Sequence, residues 1–244
     1  MNDELPEASE PVAVPPAEDR PQTAAEASGY PILFEDGEAL VIDKPGGLPL
    51  DRPRAGGECL EDHLDNLRLG FQRQPQPVHR LDRDTSGCLL LARNPKAVKR
   101  FSAAFEARVV AKRYLGIVAG LLEADEGVIE LALAKISSAE QGWRMIAAKK
   151  GKPSITHWRK LQVIGGLTLV EFRPETGRTH QIRGHAASGL GAPLLGDPIY
   201  GTGKGADRTM LHAAALTVPR EGKQDIIAVA PMPADFIALG FSDG

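Results

Sequence analysis

The chain has 244 residues, 42% hydrophobic and 25% charged, with a formal net charge of −3. That length supports one main core with a modest appendage, since single cores stop growing at roughly 250–300 residues. No apolar stretch approaches the ~20 residues of a membrane-spanning helix, the start lacks a secretory signal's basic and apolar regions, and Cys59 and Cys88 are too few for a disulfide framework, so a soluble protein of the reducing cytoplasm is expected.

The charge is spread unevenly. Residues 1–28 carry seven acidic side chains against Arg20 alone, a balance of −6 that leaves the remainder at +3. This stretch is rich in Pro, Ala and Glu and nearly devoid of large apolar side chains, so it cannot bury enough surface to offset the entropy of ordering. A disordered acidic tail is expected there, ahead of one domain over residues 29–244. A balance of +3 is compatible with binding a phosphate backbone through a local patch without demonstrating it.

Residues 32–35 and 39–43 are short apolar runs around Asp36-Gly37-Glu38, which predicts a hairpin. Lys44-Pro45-Gly46-Gly47 ends it, because proline lacks a ladder donor and paired glycines favour an irregular loop. After a break over residues 72–77, the polar run from His79 to Gly87 feeds Cys88-Leu89-Leu90-Leu91-Ala92, a buried strand by its pattern. A helix follows, with Asn94 as its cap, Pro95 in its first turn and Ala97, Val98, Phe101, Ala104 and Phe105 at helical spacing. Residues 113–118, 127–131, 156–163 and 167–172 read as strands, the last two joined through Gly165-Gly166. Residues 179–188 predict the second main helix and residues 210–218 a late strand. Strand runs broken by two helices imply an α+β fold with a mixed, mainly antiparallel sheet rather than a βαβ alternation.

Three segments concentrate polar residues. His79-Arg80-Leu81-Asp82-Arg83-Asp84-Thr85-Ser86-Gly87 lies on a loop before a buried strand, where a rigid scaffold holds a carboxylate; it equally fits a charged turn whose Thr85 and Ser86 cap local backbone groups. The stretch from Thr176 to His185 runs from a loop into a helix N-terminus whose amides suit an anion. His180 and His185 are five apart, about 140° around a helix of ~100° per residue, so they do not form a metal-binding i, i+4 pair. The six histidines show no ligand cluster at usable spacing, and no metal is expected. Lys112-Arg113-Tyr114-Leu115 places Tyr114 in an apolar strand, which taken alone reads first as core. The cysteines read as small buried apolar residues, and Gly201-Thr202-Gly203-Lys204-Gly205, which fits neither common phosphate-loop pattern, as a mobile loop.

Together these segments resemble the RluA-type pseudouridine synthases, through His79-Arg80-Leu81-Asp82 with Thr85-Ser86-Gly87, Lys112 with Tyr114, and Gly177-Arg178-Thr179-His180-Gln181-Ile182-Arg183 with His185. Lys44-Pro45-Gly47, Gly196-Asp197-Pro198-Ile199-Tyr200-Gly201 and Leu211-His212-Ala213 extend the match in the expected order. The resemblance implies a pseudouridine-synthase fold with a central RNA-binding cleft, a catalytic domain over residues 29–244, and isomerisation of uridine in tRNA or rRNA by a monomer without cofactor or metal. By similarity Asp82 is the catalytic carboxylate, Arg183 pairs with it, Tyr114 completes the catalytic set by lying against the target uracil and assisting proton removal, and Arg80 fills the gap left by an everted base. His79, Thr85, Arg178, His180 and Gln181 complete the expected RNA- and base-binding set.

The assignment makes chemical sense, because an ionised carboxylate can attack covalently or stabilise a sugar cation, and a guanidinium within ~4–6 Å favours its charged form. Arg93, Lys96, Lys99 and Arg100 on the first helix read equally as phosphate contacts or as a solvated face. A catalytically silent RNA-binding module of the same fold is the rival reading, against which the joint presence of Asp82, Tyr114 and Arg183 argues. Two departures from the family pattern stand out: the acidic segment takes the place of the small S4 domain that precedes the catalytic domain in many relatives, and Thr217-Val218-Pro219 replaces a His-Pro pair after the late strand.

Overall fold

The computed structural model describes residues 24–138 and 142–242. Of the stretch read as an acidic tail, residues 1–23 lie outside the described residues, while Ala24–Ser28 forms a short helix (α1). Ser28 is fully buried, and its Oγ accepts the Tyr30 amide at 3.0 Å, which ties this turn to the start of the sheet.

The strands follow from the apolar runs. Ile32–Glu35 (β1) and Ala39–Lys44 (β2) pair antiparallel around a turn closed by Asp36, whose Oδ1 accepts the amides of Glu38 and Ala39, both at 2.8 Å. Gln76–Pro77 (β3) and Ser86–Ala92 (β4) follow, and every residue of β4 is buried, as its unbroken apolar sequence requires. Asn94 accepts the Ala97 amide at 2.9 Å and opens Pro95–Glu106 (α2). Next come Ala111–Ala119 (β5), Glu126–Glu130 (β6), Leu133–Ser138 (β7), Gly142–Ala147 (β8), Ile155–Ile164 (β9) and Leu167–Pro174 (β10). Gln181–Gly189 (α3), Leu211–Val218 (β11), Ile226–Val229 (β12) and Ala234–Ala238 (α4) complete the order.

Ten strands form one mixed sheet in the order β1-β2-β4-β11-β5-β10-β9-β6, with β3 on β4 and β12 on β11; β4 and β11 run parallel and the other pairs antiparallel. β7 and β8 make a separate two-stranded ribbon. Side chains alternate across the sheet. On one face Val41, Cys88, Leu90 and Leu216 pack under Phe101 of α2, each such burial contributing roughly 1.5–3 kcal/mol. On the other face, Leu40, Ile42, Leu89 and Leu91 form one cluster, while Val170 and Phe172 pack against Ile182 and Ala186 of α3. Tyr114 touches both of these clusters. Both cysteines are free and buried.

The parallel β4–β11 contact accounts for Gly87. It opposes Ala213, and with φ +105° a Cβ there would stand 2.3 Å from the Ala213 carbonyl oxygen, so only glycine fits. The close approach brings the loop before β4 to the neighbourhood of β5, where Tyr114 sits. α3 starts two residues later than the sequence spacing predicts. His180 precedes it in a left-handed conformation (φ +51°), and the Gln181 side chain takes up the Arg178 amide at 3.0 Å. That amide is therefore occupied by a protein group rather than open to an anion. The loop over Gly201 to Gly205 is tied down through the Asp197 carbonyl, which accepts the amides of Gly201 and Gly203 at 3.1 and 3.0 Å.

Candidate active site

The loop between β3 and β4 is held from beneath. Lys44 is fully buried at the end of β2, and its Nζ donates to the carbonyls of Pro45, Leu48 and Arg83 at 2.6, 2.9 and 3.1 Å. The Gly47 amide adds a bond to the same Arg83 oxygen at 2.9 Å. Burial, reinforced by the charge of Arg208, lowers the Lys44 ammonium to about 7. Within the loop the Asp82 carbonyl accepts the Thr85 amide at 3.1 Å, a turn that lifts the Asp82 side chain into a cavity of about 110 Å³.

Asp82, Arg80, Thr85, Tyr114, Arg178, His180, Gln181 and Arg183 all line this cavity, together with Lys112. The fold thus gathers eight of the nine predicted site residues from three separate segments. Asp82 keeps 21% of its side chain exposed; its Oδ2 lies 3.3 Å from Nη1 of Arg183 and 3.8 Å from Nε2 of His180. Among the described residues no donor holds its Oδ1. Burial first, then the charge of Asp82, pushes the Tyr114 phenol above its ordinary range, so the hydroxyl stays protonated at neutral pH.

His79 is the exception. Its ring stacks on Phe105 with centroids 4.6 Å apart, and its Nε2 accepts the Leu90 amide at 2.9 Å. Burial, with Lys112 adding to it, lowers its pKa to about 3, so it is a neutral acceptor that anchors the loop to β4 and does not reach the cavity. Gln181 lines the cavity but its amide is spent on protein groups: Oε1 accepts from Thr176 and the Arg178 amide, and Nε2 donates to Ile155 and Thr156. Two of the four cations read as phosphate contacts are likewise committed, and Arg93 precedes the Asn94 cap rather than lying on the helix. Arg93 is buried and paired with Glu35 at 2.7 Å, and Arg100 pairs with Glu38.

Sequence reasoning missed three residues around Arg183. Asp197, with no exposed surface, takes the Nε and Nη2 edge of the guanidinium at 2.7 and 2.8 Å, a fork-to-fork pair. Burial works against the charge of both groups, but these bonds outweigh it, holding Asp197 below and Arg183 above their ordinary ranges. Tyr200 places its hydroxyl 3.1 Å from Nδ1 of His180, and Trp143 of β8 stacks on the His180 ring at 4.7 Å. Burial, only partly offset by Asp82, lowers the His180 pKa. Asp197 and Tyr200 stand in the Gly196 to Gly201 stretch of the family match, which gave neither residue a role and no hint of the partner of Asp197. His185, by contrast, points away from the cavity to Ser154 and Thr156 at 3.1 and 2.9 Å. Among the described residues, no group of three or more His, Cys, Asp or Glu side chains is placed to hold a metal ion, and no helix is long and apolar enough to cross a membrane.

The chain is similar to known proteins along most of its length. Residues 38–188, which include Asp82, Tyr114 and Arg183, match the family model described as RNA pseudouridylate synthase. An uncharacterized RNA pseudouridine synthase of Zymomonas mobilis is 54% identical over 212 residues, covering 86% of this chain and 97% of that protein. The ribosomal large subunit pseudouridine synthase D of the same organism is 36% identical over 85% of this chain and 71% of its own length. Among solved structures, human RNA pseudouridylate synthase domain containing 1 superposes with a TM-score of 0.69 at 28% identity, covering 88% of this chain and 86% of that one. With this fold and this extent of likeness, the chain belongs to the RNA pseudouridylate synthase family, the enzymes that isomerise uridine in RNA to pseudouridine.

Proposed function

We propose that Asp82 is the catalytic carboxylate of this synthase, acting on an everted uridine of tRNA or rRNA held in the 110 Å³ cavity. One observation carries the reading: Asp82, the carboxylate that lines the cavity, has one oxygen beside Arg183, and among the described residues no protein donor holds the other. Isomerisation breaks the bond from N1 to C1′, turns the base, and joins C5 to C1′, with C5 losing a proton and N1 gaining one. The open Asp82 oxygen can add to the sugar or the base, or take up a proton while the fragment stays trapped. Arg183 fixes the carboxylate's direction and supplies the countercharge.

Tyr114, a neutral phenol in the cavity wall, stacks on the extruded uracil and offsets part of the few kcal/mol that extrusion costs, by roughly 1–3 kcal/mol. Arg80, exposed at the cavity mouth, fills the gap in the RNA stack. Thr85 and His180 line the base site and Arg178 meets the backbone, while Gln181 shapes the loop that presents them. The cavity is far below the ~300–1,000 Å³ of a typical small-ligand site and suits one planar base. The enzyme acts in the cytoplasm, in keeping with its two free, buried thiols.

The test is tritium release from C5-labelled uridine in transcripts of tRNA and rRNA. Release by the wild-type protein that Asp82→Ala abolishes supports the proposal. Binding without release would make the protein a silent RNA-binding module. Relatives named for the large ribosomal subunit make rRNA the first substrate to try.

A further inference from the structure

Asp197 has the most completely enclosed carboxylate near the cavity, yet it does not line the cavity. Four donors surround it. Oδ2 accepts Arg183 Nε at 2.7 Å, and Oδ1 accepts Arg183 Nη2, the Ile199 amide and the Tyr200 amide at 2.8, 2.9 and 3.1 Å. Its backbone is equally constrained: a Cβ on the preceding Gly196 (φ +73°) would stand 2.1 Å from the Arg208 carbonyl oxygen. The carboxylate therefore has one position available.

That position decides where Arg183 points. A guanidinium is planar and rigid, so pinning its Nε and Nη2 edge fixes the direction of Nη1, the nitrogen 3.3 Å from Asp82 Oδ2. Without Asp197 the same fork would be free to form a two-bond pair with Asp82 itself and cover both of its oxygens. The second group near Asp82 traces to the same residue. Tyr200, whose amide Asp197 holds, reaches His180 Nδ1 with its hydroxyl at 3.1 Å, and His180 Nε2 lies 3.8 Å from Asp82 Oδ2.

We infer that Asp197 is a positioning residue for the isomerisation: it takes the bidentate edge of Arg183, so that Arg183 touches Asp82 through one nitrogen and leaves the second Asp82 oxygen open to the nucleotide. This rests on the reading of Asp82 given above. Asp197→Asn puts an amide N–H against Arg183 Nε–H and breaks the fork, while Asp197→Glu keeps the charge but displaces it by one methylene.

Both variants are tested by single-turnover tritium release, equilibrium RNA binding, and circular dichroism to normalise rates to folded protein. The expected result is a fall in kcat on the order of 10²-fold, the usual consequence of a misplacement near 1 Å, with RNA affinity unchanged within about twofold. Combining Asp197→Asn with Arg183→Lys should cost little more than the worse single change, since one acts through the other. Wild-type kcat in the variants, or losses that multiply in the double variant, would overturn the inference. If Asp197→Asn does not fold, Asp197→Glu decides by the same criteria. Asp82→Ala in the same assay separates the two readings: if it is active, the catalytic role of Asp82 falls, and if it is dead while the Asp197 variants are fully active, only the positioning role falls.

Discussion

Arg183→Lys probes the countercharge directly. Arginine here makes three charge-assisted bonds, two to Asp197 and one to Asp82. A lysine ammonium is a point donor on a flexible stem and cannot hold the Asp197 edge and reach Asp82 in a fixed geometry. With Asp197 fully enclosed and Asp82 21% exposed, the ammonium settles on the deeper carboxylate and gives up the outer one. Losing one hydrogen bond to a charged group costs about 1.5–3 kcal/mol. If that interaction orients Asp82 in the transition state, the loss corresponds to roughly 10–150-fold in rate. RNA affinity should change little, because the cavity mouth and its cations are untouched. Single-turnover tritium release at saturating enzyme measures the chemical step, and filter binding measures affinity. An unchanged single-turnover rate would refute the reasoning, as would a loss confined to affinity.

Two further outcomes follow from the scaffold. His79 has a folded-state pKa near 3 against an ordinary value of 6.5, so below pH 6.5 the unfolded chain binds a proton that the folded one refuses. Stability contributed by neutral His79 is present above pH 6.5 and is lost as pH falls from there toward 3; urea denaturation across that range should show a slope that His79→Gln reduces, and an identical slope in the variant would contradict the assignment. Phe101, 1% exposed at the centre of the α2 contact, should cost about 3–5 kcal/mol when changed to Ala, read as a lowered urea midpoint with kcat per folded molecule retained. A loss below 1 kcal/mol would mean that α2 does not cap the sheet as described.

The sequence displayed those parts of the fold whose cause is local. Asp36 and Gly37 mark the first hairpin, Asn94 and Pro95 open α2, and the unbroken run of β4 shows burial on both faces. The β7–β8 ribbon escaped because most of its residues are exposed and it pairs with itself rather than with the main sheet, so no apolar alternation betrays it. The start of α3 was misplaced because a left-handed His180 is a tertiary consequence, held by Tyr200 and Trp143 from distant parts of the chain.

The site divides along the same line. Asp82, Tyr114 and Arg183 were singled out through the family resemblance of the motifs that hold them, since taken alone Tyr114 read as core and the Asp82 loop equally as a charged turn. The fork between Arg183 and Asp197 was not legible, since a contact across 14 residues leaves no spacing signal. His79 entered the expected set through the His79-Arg80-Leu81-Asp82 motif, but its ring stacks on Phe105 and accepts the Leu90 amide of β4 instead of reaching the cavity. Arg93, which precedes the α2 cap, and Arg100 on α2 were ambiguous in the sequence, and their carboxylate partners on the first hairpin resolved them.

The most direct test of the central claim is a map of pseudouridines in total RNA from cells lacking this protein, complemented with the wild-type chain or with Asp82→Asn. The account predicts that one or a few positions lose pseudouridine without the protein, regain it with the wild type, and stay unmodified with Asp82→Asn. Restoration by Asp82→Asn to the wild-type level would contradict it.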